Sequence, residues 1–185
     1  MTNILYIHGY GSDANSTTGG EIRSALDESF KVVTHSFSND YGTVSTMIDN
    51  IELARNIIET QNINQVVASS MGAFIAMNCT GVTKMLINPC MKPSEQLKLR
   101  VVPDISSSEL KKYEDLEASI DISNFDFNNT YGFFATRDEL FSYMDLFNSF
   151  YNPDNCFTFD GEHRISATNI HKEIIPKIYD IRNSK

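Results

Sequence analysis
The run Ile4-Leu5-Tyr6-Ile7 has no polar residue inside it. A strand with one face in water alternates apolar and polar residues. An unbroken run implies burial on both faces, as in a parallel sheet covered by helices. Parallel neighbours in turn need crossover connections long enough to hold a helix, and the sequence supplies them in alternation. After the loop signal His8-Gly9-Tyr10-Gly11-Ser12, a helix is expected over 20–29 and a strand over Val32-Val33-Thr34-His35-Ser36-Phe37. A longer helix follows over 44–61, with Met47, Ile51, Ala54, Ile57 and Ile58 on one stripe. Then come a strand Val66-Val67-Ala68, an apolar helix over 71–77, and a strand Met85-Leu86-Ile87 stopped by Asn88-Pro89. Strands at 131–135 and 156–159 and a closing helix over 165–181 complete the pattern. This alternation predicts an α/β fold, a mostly parallel sheet of about six strands with helices on both faces.

Residues 92–129 interrupt the alternation. No strand is evident there, and helices are expected over 95–100 and 106–118, with Ser106 to Ser108 as N-cap candidates. Such an insertion acts either as a lid over substrate or as edge packing. At 185 residues the chain, 1–185, is expected to form one domain. Its 24 acidic and 15 basic residues give a net charge of −9, which argues against nucleic acid or an anionic membrane as partner. Cys79, Cys90 and Cys156 lack metal-ligand spacing and read as reduced thiols of a cytoplasmic protein. No apolar run approaches the roughly 20 residues of a membrane span. The first apolar run is cut by His8-Gly9 and has no basic residue before Arg23, unlike a signal peptide.

The stretch Val66-Val67-Ala68-Ser69-Ser70-Met71-Gly72-Ala73 is a strand, a tight turn and a helix. Ser70 sits at the centre of Ala-x-Ser-x-Gly, a variant of the nucleophile elbow. The turn brings strand and helix close together, so small residues are needed two before and two after the serine. Ala68 and Gly72 meet that need. Ser69 is out of frame, since Val67 and Met71 would flank it. A serine hydroxyl needs a base, and the base needs an orienting acid. Of the four histidines, His163 lies in the loop after the last strand, on the sheet edge where Ser70 also falls. Asp138, after the fifth strand, is the preferred acid over Asp160; Glu139 stands beside it, and Asp138 could also cap a helix from 139 onward. Backbone N–H groups of Met71 and Tyr10 are the candidate oxyanion donors. Gly9, Gly11 and Ser12 are the candidate substrate-binding positions, since glycines let the backbone approach a ligand closely. The loop has neither the spacing of a dinucleotide fingerprint nor that of a P-loop.

Five stretches together resemble the small α/β-hydrolases of the YqiA-like esterase type. They are Leu5 to Ser12, Ala68 to Ala73, Ile87-Asn88-Pro89-Cys90, Thr136 to Leu140, and Asp160-Gly161-Glu162-His163-Arg164. The resemblance implies a compact α/β-hydrolase fold and hydrolysis of small carboxylic esters or acyl-thioesters. It implies triad roles for Ser70, His163 and Asp138, with no metal or organic cofactor. An amidase or peptidase would use the same machinery. A binding protein that has kept the fold without the catalysis is the other alternative. A sheet of about six strands with a single insertion suggests an open site that suits short acyl groups.

Overall fold
The computed structural model describes residues 1–184. β1 (Thr2–Ile7) leads through α1 (Thr17–Ala25) to β2 (Phe30–Thr34), and α2 (Val44–Thr60) leads to β3 (Gln65–Ser69). α3 (Met71–Met77) and β4 (Thr83–Ile87) follow. A helical stretch comes next: α4 (Pro93–Gln96) running into a π-helical turn (Leu97–Val101), α5 (Ser107–Ala118) and α6 (Asn124–Asn129). β5 (Thr130–Ala135), α7 (Met144–Phe150) and β6 (Cys156–Phe159) then precede the final helix. That helix begins as α8 (Ala167–Asn169), widens into a π-helical turn (Ile170–Ile174) and continues as α9 (Ile175–Asn183).

The six strands form one parallel sheet in the order β2-β1-β3-β4-β5-β6. The unbroken apolar runs are explained by how the pleat divides them. Leu5, Ile7, Val66, Ala68, Leu86 and Phe134 point into one core, shared with α2, α3, α5 and α7. Ile4, Tyr6, Val67, Met85, Ile87 and Phe133 point into the other, shared with α1 and the C-terminal helix. Each fully buried aliphatic side chain contributes roughly 1.5–3 kcal/mol, so both faces hold the sheet in register.

Several boundaries differ from those expected. α1 starts at Thr17 because the Ser16 side chain accepts the Gly19 N–H and caps it there. β2 ends at Thr34, so His35 and Ser36 are exposed loop residues, while Phe37 turns inward. The helix expected over 95–100 is one short turn plus the π-turn. The final helix starts at 167 and contains Pro176, which has no N–H to offer the i−4 carbonyl; the wider turn before it absorbs that loss. No helix starts at 139, since α7 begins only at Met144. α5 matches its expected span, capped by Ser106 through the Glu109 N–H.

The sheet order sets the position of the site. From β1 the chain moves outward to β2, then returns past β1 to β3. The loops leaving β1 and β3 therefore diverge, opening a crevice at the carboxyl ends of two adjacent strands.

Candidate active site
Ser70 follows β3 with φ 51° and ψ −122°, a sparsely populated backbone region for an L-residue. Three contacts hold it there. Its N–H donates to Ile87 O at 3.0 Å, and its carbonyl accepts the N–H groups of Ala73 and Cys90, both at 3.0 Å. Gly72 carries the small-residue requirement, because a Cβ on it would lie 2.3 Å from His8 O and 2.7 Å from Ile7 O. Ala68 is tolerated two residues earlier, wholly buried in β3. Ser69 turns to the opposite core, where its hydroxyl meets Tyr6 Oη at 2.9 Å.

His163 Nε2 lies 2.9 Å from Ser70 Oγ, and His163 Nδ1 lies 2.7 Å from Asp138 Oδ2. With Nδ1–H donating to the carboxylate, Nε2 is left to accept the serine hydroxyl. The Asp138 side chain is 4% exposed. Burial pushes its carboxyl up, but hydrogen bonds from His163 and from the Phe141 and Leu140 amides outweigh it, leaving Asp138 below the ordinary carboxylate range. Its Oδ1 accepts those two amides at 3.1 and 2.8 Å, the bonding of a cap, but on a turn that no helix continues. Asp160 pairs instead with Arg137 at 2.9 Å on the surface.

The loops that carry Asp138 and His163 are bound to each other. Thr136 N–H donates to Phe159 O, Arg137 N–H to Gly161 O, and Glu139 Oε2 accepts the His163 N–H at 3.0 Å. The Phe141 ring packs edge-on against His163 at 4.8 Å between centroids. The acid loop is also tied to the 93–101 segment. Gln96 Nε2 donates to Tyr143 Oη at 2.9 Å, Tyr143 Oη donates to Glu95 Oε2 at 2.9 Å, and Arg100 Nη2 donates to Leu140 O at 2.8 Å.

Gly9 packs against Ser70: a Cβ there would lie 3.0 Å from Ser70 Cβ. His8, buried behind it, accepts the Phe37 N–H on Nε2 and uses Nδ1 to hold Gly9 O at 2.8 Å. The N–H groups of Tyr10 and Met71 have no acceptor among the described residues. Gly11 and Ser12 meet Asn39, which accepts the Gly11 N–H at 3.0 Å and donates to Ser12 O at 2.8 Å. Gly11, at φ 72°, is there for its backbone. Asn39 and Asn88 are site-building residues that sequence reasoning missed. Asn88 stood at a strand end before a proline, a signal read as a stop and as part of a family stretch, with no role given to its side chain. Among the described residues no three His, Cys, Asp or Glu gather as a metal site.

A parallel sheet with a serine on a strained turn after β3, an acid after β5 and a histidine after β6 defines the α/β-hydrolase fold. Solved structures with that fold superpose on nearly the whole chain. Mouse alpha/beta hydrolase domain-containing protein 10 gives a TM-score of 0.73 at 15% identity, covering 98% of this chain and 90% of its own. Est1E from Butyrivibrio proteoclasticus gives 0.71 at 11%, covering 97% and 87%. The RedJ thioesterase of the prodiginine pathway in Streptomyces coelicolor gives 0.60 at 11%, covering 96% and 89%. No curated protein sequence matches the chain significantly. The chain belongs to the uncharacterised protein family UPF0227, whose family model matches residues 3–178.

Proposed function
We propose that this chain is a serine hydrolase acting on small carboxylic esters or acyl-thioesters through an acyl-enzyme intermediate. The observation that carries the reading is the unbroken hydrogen-bond path from Ser70 Oγ through the His163 imidazole to Asp138. In this reading Ser70 Oγ attacks the acyl carbon while His163 Nε2 takes its proton. Asp138 keeps the imidazole in the required tautomer and stabilises the imidazolium. The Tyr10 and Met71 N–H groups stabilise the tetrahedral oxyanion. Collapse breaks the bond to the alcohol or thiol, which leaves with the proton from His163. Water repeats the sequence on the acyl-enzyme and releases the acid. Gly9, Gly11 and Ser12 contact the substrate, and the chain acts as one domain whose 92–129 insertion reaches the site through the 93–101 segment. The RedJ thioesterase, a solved structure of the same fold, supports this choice of substrate class.

The test is an acyl-length series of aryl and coenzyme A esters, run with Ser70→Ala and with a serine-directed fluorophosphonate. The expected result is turnover of short acyl groups, labelling at Ser70, and loss of both in the variant. Folded protein that takes no label and turns over no ester would sink the proposal. Turnover of amides but not esters would move it to the amidase class.

A further inference from the structure
We propose that Asn88 is a positioning residue that sets His163 against Ser70, an inference that rests on the hydrolase reading above. β4 pairs with β5 as far as Ile87 opposite Phe133. The chain then turns away at Asn88, whose φ is 43°, a backbone that asparagine tolerates better than most residues. Its N–H still donates to Phe133 O at 2.8 Å. β5, however, runs on to Ala135, beyond the paired residues of β4. The Asn88 side chain takes over there, its Oδ1 accepting the Ala135 N–H at 2.7 Å. That donor identifies the oxygen, so the amide nitrogen is the atom facing His163 O at 2.8 Å and Glu162 O at 3.3 Å.

The 160–164 loop has no regular structure, so its backbone groups are held from outside. Arg137, Glu139 and Asn169 hold it from exposed or half-buried positions. Asn88, 3% exposed, is the buried member of the set. The same turn grips the nucleophile: Ile87 O accepts the Ser70 N–H, and Cys90 N–H donates to Ser70 O. One four-residue turn therefore holds the backbone of both reacting partners, whose side chains meet at 2.9 Å.

Two variants of the full chain test this. Asn88→Gly keeps the positive φ without strain and removes the amide. Asn88→Asp keeps the acceptor for Ala135 but turns a carboxylate oxygen toward the loop carbonyls. Both are expected to fold by circular dichroism. Each should lower kcat on an aryl ester about 100-fold with KM within about twofold, the scale of a misplaced catalytic group. Each should also shift or broaden the low-field Nδ1–H proton resonance of His163. Acidification should protonate the new carboxyl in Asn88→Asp, restore a donor toward His163 O, and raise its fluorophosphonate labelling rate relative to Asn88→Gly at the same pH. A folded variant with the parent kcat and an unchanged His163 resonance would overturn the proposal. Failure of both variants to fold would also overturn it, since Asn88 would then act on the fold rather than on His163. If only one folds, it decides. A parent chain that neither labels nor turns over defeats the hydrolase reading instead, and the His163 resonance, recorded without substrate, still decides the role of Asn88.

Discussion
Ser70 and Gly72 concentrate the cost of the site in one turn. The Ser70 backbone conformation costs about 1–3 kcal/mol, which the surrounding hydrogen bonds offset. Ser70→Gly should therefore raise the melting temperature, by an amount equivalent to about 1 kcal/mol, while abolishing ester hydrolysis. Ser70→Ala should lower kcat/KM at least about 1,000-fold and leave the fold intact; an alanine variant with parent activity would remove the serine from the chemistry. Gly72→Ala has no low-cost solution, because its Cβ would collide with backbone, His8 O at 2.3 Å, and not with a movable side chain. Loss of both activity and thermal stability is expected. Asp138 bears on the pH profile. It is held below its ordinary value, so it stays ionised to lower pH than an ordinary aspartate. Activity on an aryl ester should then show no Asp138 step across the ordinary carboxylate range, and Asp138→Asn should lower the plateau of the pH–rate profile.

Among the elements, α6 is docked on the sheet by charge. Lys84 of β4 and Asp126 of α6 meet at 2.5 Å with side chains 1% and 2% exposed, and Ser123 donates to the other Asp126 oxygen. Burial holds the Lys84 ammonium below its ordinary value, although Asp126 pulls in the other direction. Asp126→Ala strands that ammonium and should cost about 3–5 kcal/mol in denaturant melts, whereas the double variant Lys84→Met, Asp126→Leu should recover most of the loss. α5 carries the opposite liability. Burial raises Glu117 above its ordinary 4.5, only partly offset by the Ser94 N–H and hydroxyl that it accepts. A folded-state value above the unfolded one means that stability is fully present below pH 4.5 and is lost as pH rises through the folded value. Glu117→Gln should gain stability relative to the parent between pH 4 and pH 7; a pH-independent difference would show that burial imposes no such cost. The π-turn before Pro176 and the early cap at Ser16 shift boundaries without moving the site.

At the scale of the molecule, function depends on the sheet order. β1 and β3 are neighbours although about 60 residues separate them, and their loops diverge at the carboxyl edge. This brings Gly9 to Ser70, while β5 and β6, paired side by side, bring Asp138 to His163. The 93–101 segment is bonded to the acid loop through Tyr143 and Arg100, so changes there should reach the chemistry. Arg100→Met, for instance, is expected to lower kcat severalfold by loosening Leu140, and unchanged kinetics would show the loop to be self-supporting. Much of this was legible locally. Unbroken apolar runs encode two-sided burial, and the spacing around Ser70 encodes a turn that only small residues permit, so strand number, sheet type and the candidate nucleophile follow from the chain itself. The chain order favours Asp138 over Asp160, both at strand ends, and the packed loops then send the first inward to the imidazole and the second outward to Arg137. Asn39 and Asn88 were hidden. Their work is to satisfy backbone groups of distant loops, and those groups have no address in the sequence until the fold brings them within hydrogen-bond range.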